Sequence, residues 1–97
     1  MIYNKDMEKK DYWRLEKITK GLANHRRVEI LHTLSIQPSL SVLDLSQKLG
    51  VNFKTISEHL RRLNISGLVY KNSDGNSIRH TLSPRGKTIL KFLRTLE

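Results

Sequence analysis

The segment from Gly50 to Val69 constrains this chain more than any other, because it joins a turn, a helix cap and a two-faced helix without interruption. It reads Gly50-Val51-Asn52-Phe53-Lys54-Thr55-Ile56-Ser57-Glu58-His59-Leu60-Arg61-Arg62-Leu63-Asn64-Ile65-Ser66-Gly67-Leu68-Val69. A helix advances about 100° per residue, so with Ile56 at the centre of a buried face Leu60 and Leu63 fall beside it, and Phe53 and His59 lie at its edges. Lys54, Ser57, Glu58 and Arg61 fall on the far side, and Ile65 also points away from the core. A helix held to its domain by an apolar stripe, with a hydrogen-bonding stripe turned outward, has the form needed to lie in a DNA major groove.

Caps and punctuation organise the rest. From about Asp6 to Leu22 a helical stripe of Leu15, Ile18 and Leu22 runs beside Tyr12 and Trp13, and Gly21 weakens its end. Residues 1–5 show no packing pattern and are expected to be mobile. Asn24 is a good N-cap for a second helix whose buried face is Val28, Leu31 and Leu34, with Pro38 in the loop that follows. Ser41 with Asp44 three residues on predicts a capping box, and Leu40 with Leu45 a hydrophobic staple. Gly50 suits the left-handed backbone that stops this third helix, and Asn52 suits the cap of the next.

After Gly67 the apolar period changes from helical to extended. Leu68 to Lys71 and Ile78 to Leu82 read as two strands joined by residues 72–77, whose Asp74-Gly75 pair suits a hairpin. Ser83-Pro84 then opens a final helix, with Ile89, Phe92, Leu93 and Leu96 as its stripe.

Three stretches carry a family resemblance. Thr55-Ile56-Ser57-x-His59-Leu60-x-x-Leu63-x-x-x-Gly67-Leu68-Val69 resembles the recognition helix of ArsR-type winged helix-turn-helix repressors. Leu45-Ser46-x-x-Leu49-Gly50-Val51 is similar to the helix and turn before it, and Leu22-Ala23-Asn24-x-Arg26-Arg27-x-x-Ile30-Leu31 to the family's Leu-Ala-Asp-Pro-x-Arg-x-x-Ile-Leu. The segment Leu82-Ser83-Pro84-x-Gly86-Lys87 looks more like the last-helix opening of MarR-like regulators. The resemblance, which covers roughly residues 20–82, implies an α+β, mostly helical fold: a winged helix-turn-helix with a two-stranded β wing and flanking N- and C-terminal helices; at 97 residues the chain is expected to be one domain, over residues 1–97. The resemblance also implies that the terminal helices pair across a two-fold axis, burying Leu15, Ile18, Leu22, Ile89, Phe92, Leu93 and Leu96.

Charge agrees with a nucleic-acid partner. Eighteen Lys and Arg against nine Asp and Glu leave +9 on 97 residues. The excess is uneven: residues 1–52 hold nine basic and six acidic side chains, a balance of +3, whereas residues 53–91 hold eight and two, a balance of +6. The charge follows the helix and wing that would face DNA. Lys54, Ser57 and Glu58 are the expected base readers, since Lys donates to guanine, Glu accepts from cytosine and Ser serves either way. Thr55, Arg61 and Arg62 are expected on phosphates, and Lys71, Asn72, Asn76 and Arg79 of the wing on backbone or minor groove. Glu58 departs from the resemblance, where a basic or neutral polar residue is common; selection against wrong sites, or pairing with Arg61 or Arg62, is its other reading.

Cysteine is absent, which removes disulfides and thiolate chemistry. Where arsenic-type members of the resembled family carry Cys-Val-Cys, this chain has Ser41-Val42-Leu43, and neither Ser41 nor Leu43 is a soft ligand. His25 and His32 alone make a poor site, so no metal and no cofactor is expected. No nucleophile motif, glycine-rich phosphate loop or paired-carboxylate pattern supports an enzyme. No long apolar run or export signal appears, so membrane binding is not expected and the cytoplasm is the default. The expected function is sequence-specific double-stranded DNA binding by a homodimer, as a repressor that occludes a promoter, since the chain leaves no room for a separate activation or ligand domain. A protein-interaction module and an RNA-binding module are the alternatives.

Overall fold

A computed structural model describes residues 6–97, so the expectation for residues 1–5 lies outside the described residues. Five helices and one hairpin follow in the order α1 Lys9–Leu22, α2 His25–Ile36, α3 Val42–Leu49, α4 Phe53–Ile65, β1 Val69–Asp74, β2 Ser77–Leu82 and α5 Pro84–Arg94. This is the winged helix-turn-helix expected, and each helix start has a local cause. α1 begins at Lys9, later than the Asp6 expected, because the Glu8 backbone N–H donates to Asp11 Oδ2 at 2.9 Å and fixes the first turn there. Asn24 caps α2 by accepting from the Arg26 and Arg27 backbone N–H groups. At α3 the Ser41 and Asp44 side chains each accept from the other's backbone N–H at 3.0 Å, which satisfies two otherwise orphaned donors.

The turn between α3 and α4 also follows its residues. Gly50 has φ +64, the left-handed geometry that glycine adopts without a Cβ clash. Asn52 then accepts from Lys54 N at 2.8 Å and Thr55 N at 3.4 Å, starting α4.

The core gathers around α2 and α4. Ile30, Leu31, Leu45, Ile56, Leu63, Leu68 and Val69 are fully buried, with Leu34 and Leu60 nearly so. Ile56, Leu60 and Leu63 are the stripe expected for α4, whereas Phe53, expected at its edge, is half exposed. Ile30 joins Leu31 and Leu34 on the buried side of α2, while Val28 is only partly covered. Ile30 is buried as well because α2 is covered by α5, β2 and α4.

The wing differs from expectation in length. Its strands pair as far as Asp74↔Ser77, leaving a two-residue turn of Gly75-Asn76 in place of the six-residue connection. Gly75 has φ +63 and Asn76 is not left-handed, a pattern that places glycine at the first central position and not the second. Leu40 adds a one-residue bridge to the other edge of β2, with Leu40 N to His80 O at 3.2 Å and His80 N to Leu40 O at 2.8 Å. That bridge anchors the wing to the start of α3.

Candidate nucleic-acid interface

α4 presents Lys54, Thr55, Ser57, Glu58, Arg61 and Arg62 on its surface, and all six are exposed. Across from them the wing contributes Lys71. In an antiparallel ladder directly paired residues share a face, so Lys71↔His80 and Ser73↔Ile78 lie on the side that faces α4, together with the buried pair Val69↔Leu82. The result is a groove of about 270 Å³ between helix and wing, whose polar lining includes Ser57, Arg61, Asn64 and Lys71. Two cations and two hydrogen-bonding side chains thus meet on a surface open to a polyanion.

The other wing residues are placed differently. Asn72↔Arg79 occupies the opposite face of the hairpin, where Asn72 Nδ2 donates to Thr81 Oγ1 at 3.3 Å. Arg79 is engaged within the fold: its Nη1 donates to the Ser39 carbonyl at 3.0 Å and lies 3.5 Å from Asp44 Oδ2. Asn76 sits exposed at the turn. The structure brings Lys71 together with α4 and leaves Asn72, Asn76 and Arg79 outside that groove.

Glu58 pairs with both arginines. Arg61 donates from Nε at 2.9 Å and from Nη2 at 2.6 Å, and Arg62 Nε donates to the same carboxylate at 3.2 Å. These bonds, Arg61's first and Arg62's next, lower the Glu58 pKa from 4.5 to about 2. Its carboxylate therefore stays ionised at any ordinary pH, and the trio presents one net positive charge. Sequence spacing placed the three residues near one another; only the structure shows one carboxylate holding two guanidiniums.

Two histidines lie behind this surface. His59 Nδ1 accepts from Arg27 Nε at 3.3 Å, and burial, followed by the charge of Arg27, lowers its pKa below 6.5. His80 is buried, donates from Nδ1 to the Leu40 carbonyl at 3.2 Å, and burial likewise lowers its pKa. Both are neutral at neutral pH. His25 and His32 line a separate groove of about 480 Å³ between α2 and α5. Among the described residues no three His, Cys, Asp or Glu side chains converge as a metal site.

The terminal helices split the stripe assigned to them. Ile18, Leu22 and Ile89 pack against the core of the same chain, and Leu93 is half-buried. Leu15, Phe92 and Leu96 are exposed, as are Tyr12 and Trp13. Leu90, absent from the expected stripe, is the α5 leucine that enters the core. Gly86 gives the signal for it: this glycine packs so closely on the Leu68 carbonyl that a Cβ would lie 2.1 Å from the oxygen, and Leu90 is one turn further on the same side.

Residues 24–71 match the model of a family described as bacterial regulatory protein, arsR family. Over 80 residues the chain is 34% identical to the transcriptional activator HlyU of Vibrio cholerae, a match covering 81% of this chain and 73% of that protein. The chain belongs to the arsR family. This arsR-family protein is also 30% identical over 78 residues to the cadmium resistance transcriptional regulatory protein CadC homolog of Staphylococcus aureus, spanning 80% of this chain and 64% of the relative. The structure of reduced HlyU from Vibrio cholerae superposes with a TM-score of 0.76 at 32% identity, covering 90% of this chain and 92% of that one. A homodimeric winged helix-turn-helix DNA-binding domain from Mycobacterium bovis gives 0.84 at 24% identity, covering 99% and 89%, and shows the shared fold. With the family established, the arsR-family chain is a DNA-binding transcriptional regulator with a winged helix-turn-helix fold. Among the described residues no helix is long and apolar enough to cross a membrane.

Proposed function

We propose that the protein is a homodimeric repressor that occludes a promoter, laying α4 in the major groove of each half-site. The observation that carries this reading is the convergence of Ser57, Arg61 and Lys71 on one groove, beside an exposed Lys54. Lys54 and Ser57 read base edges near the N-terminus of α4, where recognition helices approach the bases most closely. Glu58 divides its role between holding Arg61 and Arg62 and accepting from cytosine. Thr55, Arg61, Arg62 and, from the wing, Lys71 grip the backbone. The apolar residues left exposed on α1 and α5 cover one another across the two-fold axis. Occlusion requires nothing beyond this footprint, and the cytoplasm is where it would act.

Base and phosphate roles separate in one experiment. Lys54→Ala is expected to cost about 1 to 3 kcal/mol on the preferred duplex and to relax preference at one base pair per half-site. Arg62→Ala is expected to weaken preferred and random duplexes alike and to reduce the slope of log affinity against log salt by about one unit per subunit. Titration of both variants at several salt concentrations checks this. Equal losses for Lys54→Ala on every sequence, or an unchanged slope for Arg62→Ala, would contradict the assignment. Preference for single-stranded or A-form RNA would favour the RNA-binding alternative instead.

A further inference from the structure

The C-terminal turn of α1 is fastened to the back of α4 at two places. Arg27, on α2, donates from Nη1 to the carbonyls of Lys20 at 3.2 Å and Gly21 at 2.8 Å, and from Nε to His59 Nδ1 at 3.3 Å. One guanidinium therefore caps the carbonyl end of α1, where a cation is favoured, and reaches a side chain of α4. The second fastening needs no hydrogen bond. Gly21 is buried, and a Cβ built on it would lie 1.6 Å from Ser66 Oγ and 2.6 Å from Ser66 Cβ. Only glycine lets α1 approach α4 this closely.

His59 and Ser66 are seven residues apart, which puts them on one stripe of the helix axis about 10 Å apart. A helix pinned at one point can swivel, whereas two points fix the crossing angle. α1 also carries exposed Tyr12, Trp13 and Leu15, the apolar surface assigned above to the partner copy. The angle between α1 and α4 then decides how far apart the two recognition helices stand.

We propose that Gly21, Arg27, His59 and Ser66 form a brace that sets the half-site spacing the dimer accepts. The proposal rests on the homodimer reading, and it makes Arg27 and Gly21 positioning residues that never touch DNA. His59 serves as the acceptor only while its Nδ1 is unprotonated. The charged and titratable groups bearing on it are Arg27, Arg26 and His25 from α2 and Glu58 on its own helix. The Lys20 and Gly21 carbonyls of α1 share the same guanidinium.

Two different lesions test the brace. Gly21→Ala forces α1 away from Ser66 without deleting a donor or acceptor, and Arg27→Gln cuts the ties without adding bulk. Ser66→Gly should rescue Gly21→Ala, because with the Ser66 side chain gone the nearest remaining atom to the new Cβ is the Arg62 carbonyl oxygen at 3.5 Å. The probes are synthetic duplexes carrying two copies of the half-site that the unmodified protein selects from random DNA, with their separation changed one base pair at a time. Circular dichroism confirms folding. The unmodified protein is expected to favour one spacing by about tenfold or more over a change of two base pairs. In Gly21→Ala and in Arg27→Gln that preference should fall below about threefold, with affinity for a single half-site held within threefold because the outward face of α4 is untouched. Gly21→Ala/Ser66→Gly should regain the preference. A sharp, unshifted optimum in either folded single variant overturns the brace, as does failure of the folded double variant to regain it. Absence of any spacing preference in the unmodified protein overturns the dimer reading and the brace with it.

Discussion

Phe92→Glu is expected to leave the fold intact, convert the protein to a monomer and lower affinity for a two-half-site duplex by about 10²- to 10⁴-fold. Phe92 is 58% exposed, so the single chain has little to lose from a carboxylate there. In a dimer the same carboxylate would be buried without a partner, at a cost of several kcal/mol. The affinity lost is that of the second half-site, which the linked subunit otherwise reaches at high effective concentration. Leu93 makes a less selective probe, because it already lines the groove between α2 and α5 of its own chain. Sedimentation and duplex titration of the unmodified protein and the variant check the result. An unchanged mass, or a monomer that binds as tightly as the unmodified protein, would contradict it.

Ile56→Ala is expected to destabilise the fold by about 2 to 5 kcal/mol. Ile56 is fully buried at the centre of the face that attaches α4 to the core. Truncation removes its transfer free energy and leaves a cavity walled by residues that cannot all move in. For a domain whose total stability is about 5 to 15 kcal/mol, that loss is a large share of the whole. Its neighbour Ser57 is exposed, and Ser57→Ala should change stability by less than about 0.5 kcal/mol while weakening duplex binding. Urea unfolding of the two variants, paired with duplex titration, measures both effects. A loss below about 1 kcal/mol for Ile56→Ala would show that the stripe does not hold the helix as described.

The contrast between those adjacent residues also shows what the sequence could reveal. Ile56, Leu60 and Leu63 recur at helical spacing, and Ser41, Asn52 and Ser83 are caps whose chemistry is local, so the helices and the buried face of α4 are legible in the sequence. Gly50 was legible for the same reason. The sequence makes the wing's strands look shorter than they are because Asn72, Ser73 and Asp74 are poor strand formers; the ladder with Ser77, Ile78 and Arg79 overrides that preference. Leu90 was missed because α5 carries more apolar positions than one face can hold, and its inward side is chosen by the Gly86 approach to Leu68.

The contacts between distant segments are beyond any periodic reading. Arg27 meets His59 across 32 residues, and Arg79 meets Ser39 across 40. Such pairs depend on how helices cross, which no spacing in one segment encodes. The exposed α4 residues are an intermediate case: the angular count put Lys54, Ser57, Glu58 and Arg61 outside, but the geometry of side-chain rotamers is what joins Glu58 to Arg61 and Arg62.

Selection of bound sequences from a pool of random duplex DNA reads the DNA-binding surface and the symmetry of the protein together, since the outward face of α4 and the two-fold pairing both leave their mark on the recovered motif. The expected motif is a palindrome with half-sites about 34 Å, one turn of the double helix, apart, whose information is lost at one base pair per half-site when Lys54→Ala is used for the selection. Recovery of no preferred duplex, or of a motif that Lys54→Ala and Ser57→Ala both leave unchanged, would contradict this.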